Sequence, residues 1–348
     1  MSATTGPSKW SAPTNIQGKQ MRDRVFGRTG RSVREIGFGA WAIGDAWGQV
    51  NDDEAIAALH AALDAGVDFI DTADVYGDGH SEQLIARALK ARGGERPFVA
   101  TKAGRRLSQQ TVAGYSEENL TAFIDRSLKN LQTEALDLVQ LHCPPTDLYY
   151  RPEVFERMER MVGQGKIRHY GVSVERVEEA LKAIEYPGVV SVQIVFNPFR
   201  MRPAELLFRQ AQEKNVAIIA RVPLASGLLS GKFNRDTRFE SSDHRLFNRN
   251  GEAFDVGETF SGVPYDVGLA AVDRIRPLVF GDATMAQLAL RWILMFEAVT
   301  VVIPGARNPR QALENVAAAG LPSLPDEVMH EVARIYAEDI KPHVHQRW

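Results

Sequence analysis

The sequence predicts an α/β fold, a (β/α)₈ TIM barrel, on three observations. Eight short β-branched runs alternate with amphipathic helical runs between about residues 35 and 320. The β-branched runs are uniformly apolar, which is typical of strands buried on both faces of a parallel sheet. Eight successive strand–helix units favour a closed barrel, and an open doubly wound sheet is the structural alternative.

The predicted strands have helical patterns between them, and helix-start signals support this division. Thr284 with Gln287, and Asn308 with Gln311, match capping boxes in which two side chains bond each other's backbone. The eight strands are predicted at residues 34–39, 67–71, 97–102, 136–142, 167–173, 190–195, 216–221 and 299–304.

Three segments fall outside the strand–helix rhythm. Residues 1–20 are rich in Ser, Thr, Pro, Gly and Gln and predict a disordered tail, so that 21–348 form a single barrel domain. Residues 22–33 predict an N-terminal hairpin at the bottom of the barrel. Residues 231–265 are long, charged and rich in Gly and Asn, and predict a functional loop after the seventh strand.

Composition excludes several classes of function. The net charge of −3 gives no sign of nucleic-acid binding, and no apolar run is long enough to span a bilayer. The single cysteine, Cys143, forms no internal disulfide and no Cys-rich zinc site, which fits a cytoplasmic protein. His343 and His345 lack a third ligand, so no metal is expected. The expected partner is a small molecule.

Polar residues end successive predicted strands, where barrel enzymes carry their chemistry. Asp71, Lys102 and His142 end the second, third and fourth strands, and Tyr76 lies five residues after Asp71. Reduction of a carbonyl by hydride needs a proton donor, which Tyr76 supplies if Lys102 lowers its pKa. Asp71 would hold the ammonium, and His142 would orient the carbonyl. Singly, each residue also has a structural explanation as a helix cap, a packed ring or a surface charge.

Several motifs resemble the aldo-keto reductases, and in particular the prokaryotic branch of that superfamily. The motifs are FIDTADVYG (69–77), VATKAG (99–104), LVQLHCP (138–144), YGVS (170–173), VPLASGLLSGK (222–232) and IPGARNPRQALEN (303–315). The resemblance spans roughly residues 22–320 and implies that Asp71, Tyr76, Lys102 and His142 are a catalytic tetrad. It implies an NADP(H)-dependent oxidoreductase that interconverts an aldehyde or ketone and its alcohol, with Tyr76 as general acid/base.

The resemblance also implies which residues hold the nicotinamide. Ser173 and Gln193 would bind its carboxamide. Val174 stands where the family often has asparagine, so Asn197 is a weaker candidate for that contact. Arg221 stands where many members stack a tyrosine on the ring, and a guanidinium plane can stack in the same way.

The rest of the cofactor is assigned to two segments near the C-terminal strands. The loop from Pro223 to Lys232 would surround the pyrophosphate with N–H groups, and Arg307 would bind a 2′-phosphate. NADP(H) is therefore preferred, and NAD(H) remains possible. The alternative to this assignment is that Arg307 and Arg310 only form a solvated helix face. The remaining predicted cofactor contacts are Trp41, Asp71, Leu224, Ser226, Gly227, Leu229, Gly305, Gln311, Glu314 and Asn315.

Trp41 and Trp47 are predicted to form an aromatic wall beside Tyr76 and His142, which gives a pocket for a hydrophobic or bulky carbonyl or secondary alcohol.

Two other functions remain open. One is an NADPH-binding redox sensor with little turnover, and the other is a Schiff-base lyase that uses Lys102. A formal GxGxxG/A match at residues 37–42 is rejected as a dinucleotide motif, because no helix opens directly on it.

Overall fold

The computed structural model describes residues 21–44 and 51–348, and it contains strands and helices in alternation. The strands are β1 (Asp23–Val25), β2 (Ser32–Arg34), β3 (Phe38–Gly39), β4 (Phe69–Asp71), β5 (Phe98–Ala103), β6 (Leu136–His142), β7 (Ile167–Ser173), β8 (Val189–Val195), β9 (Ala217–Arg221) and β10 (Val299–Val302). The predicted tail (1–20) and Trp47 lie outside the described residues.

The described residues form twelve α-helices between and after the strands. They are α1 (Asp52–Asp64), α2 (His80–Arg92), α3 (Glu117–Asn130), α4 (Pro152–Gly163), α5 (Val177–Ala183), α6 (Leu207–Glu213), α7 (His244–Phe247), α8 (Tyr265–Ile275), α9 (Met285–Leu294), α10 (Pro309–Ala317), α11 (Asp326–Ile335) and α12 (Lys341–Val344). A π-helical stretch, Tyr336–Ile340, joins the last two. Within the described ranges, none of these helices has the length and apolar character needed to cross a membrane.

The eight strands β3 to β10 form one parallel sheet in sequence order. Hydrogen bonds between the first and last strand segments close it. The Gly37 N–H donates to the Val302 carbonyl at 2.9 Å, and the Val302 N–H donates to the Glu35 carbonyl at 2.9 Å. The Gly39 N–H donates to the Pro304 carbonyl at 3.0 Å. The predicted (β/α)₈ barrel is therefore confirmed over the open sheet.

The barrel interior is packed rather than hollow. Phe69 and Phe98 stack inside it with ring centroids 5.6 Å apart. Phe26 follows β1, which pairs antiparallel with β2, and its ring lies 5.4 Å from Phe69 at this end of the barrel. Val33 of β2 belongs to the same buried cluster. Apolar side chains therefore fill this end of the barrel. The polar groups converge at the opposite end, where the strands finish.

The structure confirms one of three local predictions and changes the other two. Predicted strand 34–39 is divided, because Arg34 belongs to β2 whereas Phe38 and Gly39 belong to β3. The Thr284 capping box forms at the start of α9. The second box forms by half: the Asn308 side chain accepts from the Gln311 N–H, but the Gln311 side chain accepts from the Arg307 N–H at 2.9 Å.

Candidate active site

Four predicted catalytic side chains meet at the carboxyl end of the barrel. Asp71 and His142 end β4 and β6, Lys102 is the penultimate residue of β5, and Tyr76 lies in the turn after β4. Lys102 Nζ lies 2.6 Å from Asp71 Oδ1 and 3.2 Å from Tyr76 Oη. The Tyr76 and His142 rings meet edge to face, with centroids 6.1 Å apart.

The ammonium of Lys102 is fixed by three acceptors. Its side chain is 1% exposed, and Nζ donates to Asp71, to Tyr76 and to the Thr72 carbonyl at 2.9 Å. An ammonium has three N–H donors, so this arrangement uses all of them and orients the charge toward the phenol. The ion pair between Lys102 and Asp71 that the sequence predicted is present.

Asp71 is held in turn by two glutamines. Its Oδ2 accepts from Gln140 Nε2 at 3.1 Å and from Gln193 Nε2 at 2.7 Å. Gln140 was missed in the sequence, although it lies two residues before His142 on the same strand and so points to the same side. Gln193 lines the cleft at the barrel mouth, but here its amide supports Asp71.

The pKa of Tyr76 differs from the sequence expectation. Burial raises the pKa of Tyr76, and the positive charge of Lys102 lowers it by less, so the net direction is upward. Burial likewise opposes the charge on Lys102, but Asp71 and Tyr76 outweigh it and raise the pKa of that ammonium. Lys102 thus lowers the pKa of Tyr76 as predicted, but burial outweighs that effect. The phenol keeps its proton at neutral pH, which is the state that a proton donor needs.

His142 is a neutral imidazole. Burial lowers the pKa of His142 well below its ordinary value, and the charges of Arg105 and Lys102 act in the same direction. Its Nδ1 atom is buried and has no hydrogen-bond partner among the residues that the structure describes. A neutral ring can donate one N–H to a carbonyl oxygen without competing for the proton of Tyr76.

We expect the His142 ring to stay neutral in the folded protein at pH 6.5 and above, since its pKa lies well below the ordinary value of 6.5. The measurement is a pH titration of the histidine ring resonances by NMR, with His142→Gln used to assign the signal. A His142 resonance that titrates near 6.5 would contradict this.

A cleft of about 330 Å³ opens at this end of the barrel. Its walls include most of the residues that the sequence assigned to substrate or cofactor. These are Trp41, Asp71, Tyr76, His142, Ser173, Gln193, Arg221, Pro223, Leu224, Ser226, Gly227, Lys232, Gly305, Arg307, Gln311, Glu314 and Asn315. The volume is in the range of ligand pockets.

One predicted cofactor contact, Leu229, and one weaker candidate, Asn197, do not line the cleft. Leu229 is fully buried in the core and does not line the cleft, and its N–H donates to the Leu224 carbonyl at 3.1 Å. Asn197 does not reach the cleft either. Its Nδ2 donates to the Val222 carbonyl at 2.9 Å and to Ser261 Oγ at 2.8 Å, so it joins two loops. Sequence position alone could not distinguish these residues from their neighbours in the cleft.

The N-terminus of α10 forms one end of the cleft. Gly305 and Arg307 line it just before the helix begins at Pro309. Asn315 Nδ2 donates to the Gly305 carbonyl at 3.1 Å, which fixes this loop against the helix. Arg310, by contrast, is 73% exposed and lies 3.8 Å from Glu314, so it faces solvent. A helix N-terminus beside a cationic side chain favours an anionic ligand group.

An aromatic wall lies beside Tyr76. The ring of Trp41 stacks at 6.2 Å from Tyr76 and lies 4.6 Å from His244. His244 starts α7 in the long segment after β9, and Phe254 of the same segment lies 6.1 Å from Trp41. The segment at 231–265 therefore folds over the first-strand loop with aromatic side chains.

Arg221 lies in a buried ion-pair network that the sequence did not reveal. It contacts Glu175 at 3.0 Å and Glu258 at 3.5 Å. Arg105 contacts the same two carboxylates at 2.9 Å and 2.6 Å. We call these four residues the charge quartet. Glu258 comes from the long segment after β9. The length of that segment was the one feature of the sequence that indicated a functional role for it.

The two carboxyls of the charge quartet differ in acidity. Burial, together with the negative charge of Glu258, raises the pKa of Glu175 to about 7. Burial acts against ionisation of Glu258 as well, but the charges of Arg105 and Arg221 outweigh it and hold the pKa of Glu258 well below its usual range. Glu258 is therefore the permanent anion that attaches the long segment to the barrel.

A second attachment joins the long segment to the loop after β9. Ser226 Oγ donates to the Glu258 carbonyl at 3.0 Å and accepts from the Phe260 N–H at 3.1 Å. Ser226, Phe260 and Ser261 all adopt positive φ angles, at 53°, 52° and 59°. Non-glycine residues in this region are strained and cluster at functional sites, where the surrounding bonds hold them.

The family model for the aldo/keto reductase family matches residues 35–337. The chain belongs to the aldo/keto reductase family. It is similar to aldo-keto reductase YhdN of Bacillus subtilis, at 30% identity over 81% of this chain and 84% of that protein. It is 26% identical to aldo-keto reductase yakc [NADP(+)] of Schizosaccharomyces pombe, over 86% and 88% of the two chains.

A solved structure of the same family has the same fold. The glycerol dehydrogenase AKR11B4 from Gluconobacter oxydans superposes with a TM-score of 0.73 at 29% identity, over 91% of this chain and 96% of that one. The match covers nearly the whole of both chains, so this chain has the fold of that structure.

Proposed function

We propose that this protein is an NADP(H)-dependent oxidoreductase that interconverts an aldehyde or ketone and its alcohol. The observation that carries the proposal is the contact of Lys102 Nζ with both Asp71 and Tyr76 beside a neutral His142. This arrangement offers a protonated phenol and an imidazole N–H to one oxygen atom in the cleft. Membership of the family and the similarity to a relative named for NADP(+) support it.

The residues of the cleft fit a nicotinamide cofactor. Arg221 Nε and His142 Nδ1 are buried polar atoms without a hydrogen-bond partner in residues 21–44 and 51–348, and both side chains line the cleft. Lys232 and Arg307 supply positive charge along the same cleft, where a pyrophosphate and a ribose phosphate need it. Ser173 and Gln193 are the proposed partners of the carboxamide. The bound cofactor supplies or accepts the hydride.

The protein's own residues handle the proton and the oxygen. His142 orients the carbonyl oxygen, and Tyr76 gives its proton to that oxygen as negative charge develops there. Lys102 then stabilises the phenolate, and Asp71 keeps the ammonium in place. In the alcohol-oxidising direction the same phenolate takes the proton. The aromatic wall of Trp41 favours hydrophobic or bulky substrates.

The test is a panel of aldehydes and ketones assayed by the loss of reduced-nicotinamide absorbance with NADPH and with NADH. Turnover with NADPH supports the proposal. Tight NADPH binding without turnover across the panel would favour a redox sensor. A Schiff-base lyase is disfavoured because Lys102 is fully buried and its three N–H donors are occupied; borohydride trapping of a substrate on Lys102 would reverse that view.

Arg307→Ala is expected to raise KM for NADPH by about tenfold and to change KM for NADH much less, because a phosphate contact by a cation is worth about 1.4 kcal/mol or more. Steady-state kinetics with both cofactors measure this. Arg310→Ala is the matched control, since it removes the same charge from an exposed position three residues further along the chain, in the first turn of α10. Equal effects on the two cofactors would assign the 2′-phosphate to another residue.

A further inference from the structure

The charge quartet brings together four ionisable groups from four parts of the chain. Arg105 follows β5, Glu175 follows β7, Arg221 ends β9 and Glu258 lies in the long segment after β9. Their side chains are 20%, 14%, 8% and 6% exposed. Burying charges is unfavourable unless they are paired. With all four groups ionised, the quartet has two positive and two negative charges and is neutral.

The quartet is placed to act on a ligand in the cleft. Arg221 and Glu258 line the cleft together with Tyr76 and His142, whereas Arg105 and Glu175 lie behind them and do not line it. Burial has the largest effect on the pKa of His142 and lowers it. The charges of Arg105 and Arg221 lower it further and the charge of Glu258 raises it, so the field of the quartet extends to the catalytic end. Partly buried charges act on groups further away than exposed charges do, because solvent and salt screen them less.

The two forms of a nicotinamide ring differ by one unit of charge at this end. The oxidised ring is a cation, and the reduced ring is neutral. A net positive charge nearby therefore weakens binding of the oxidised form, and a net negative charge strengthens it. The reduced form is much less sensitive to either change.

We propose that the charge quartet sets the relative affinities of the protein for NADP⁺ and NADPH. The inference rests on the proposed function. Above the pKa of Glu175 the quartet is neutral, and this balance keeps both forms bound with comparable strength. Glu258 and Arg105 have opposite effects on that balance, and Arg105 acts without lining the cleft.

The test compares Glu258→Gln with Arg105→Gln by calorimetric titration of NADP⁺ and NADPH. The titrations are done at pH 8.5, above the pKa of Glu175 of about 7, so that both carboxyls are ionised in the wild type. Glu258→Gln leaves a net positive charge and is expected to raise the ratio Kd(NADP⁺)/Kd(NADPH) roughly tenfold. Arg105→Gln leaves a net negative charge and is expected to lower the ratio by a similar factor.

The double variant Arg105→Gln/Glu258→Gln is neutral again, and its ratio is expected to return to within about threefold of the wild-type ratio. Glu175→Gln removes a negative charge without altering the long segment, and it should move the ratio in the same direction as Glu258→Gln. If Glu258→Gln fails to fold, Glu175→Gln and Arg105→Gln still test the opposite signs.

The matched controls are Glu117→Gln and Arg160→Gln, which change the same charges in an exposed pair on α3 and α4. Their ratios are expected to stay at the wild-type value. Ratios that do not change in the quartet variants, or that move in one direction for both signs of charge, would overturn the inference. If the wild type binds neither NADP⁺ nor NADPH, the proposed function itself fails; binding of both with an unchanged ratio refutes only the role of the quartet.

Discussion

Tyr76→Phe is expected to lower kcat for carbonyl reduction by about 10³-fold while the Kd for NADPH changes by less than about threefold. The variant removes only the hydroxyl that lies 3.2 Å from Lys102 Nζ, and it keeps the ring that stacks at 6.2 Å from Trp41. The proton donor is lost, but the wall of the cleft is preserved. Single-turnover kinetics and a fluorescence titration of NADPH measure the two quantities.

Tyr150→Phe is the matched control for this substitution, because Tyr150 is 62% exposed. It is expected to leave both quantities unchanged. A Tyr76→Phe variant that retains wild-type kcat would refute the assignment of the proton donor. A variant that loses NADPH binding as well as turnover would show that the hydroxyl holds the cofactor site together.

Lys102→Met is expected to lower kcat by about 10²-fold or more and to reduce the free energy of unfolding by about 3 kcal/mol. The change leaves Asp71 buried without its cation and leaves Tyr76 without the charge that lowers its pKa. The pKa of Tyr76 therefore rises further. In the alcohol-oxidising direction, where Tyr76 must be a phenolate, the rising limb of the pH–rate profile should move to higher pH.

The measurements are the pH dependence of kcat for alcohol oxidation and denaturant unfolding followed by circular dichroism. Lys129→Met, at an exposed position on α3, is the control for removal of one lysine charge. Loss of stability with an unchanged pH profile would mean that Lys102 is only structural. An upward shift of the profile is the result that a structural role does not produce.

The sequence was a good guide where a residue's role depends on its place along a strand. Asp71, Lys102 and His142 were found because parallel strands bring their last residues to one end of the barrel. The eight apolar runs fixed the number and order of the strands for the same reason. In these cases the position of a residue along its strand determines where its side chain lies in the barrel.

The prediction was weaker where the role depends on groups from distant segments. Glu175 and Glu258 are separated by more than 80 residues, and no pattern indicates that both contact Arg221. Leu229 and Asn197 lie in segments that reach the cleft, but their own groups are used within the loops. The backbone conformation of those loops determines which of their residues face the cleft.

The sequence by itself determined the barrel, the family resemblance and the identity of the four residues at its mouth, because these follow from periodicity and local motif. The tertiary structure alone decided the acidity of those residues. Lys102 lowers the pKa of Tyr76 as expected, but burial raises it by more, and burial makes His142 neutral. Desolvation depends on everything packed around a group, and no stretch of sequence records that.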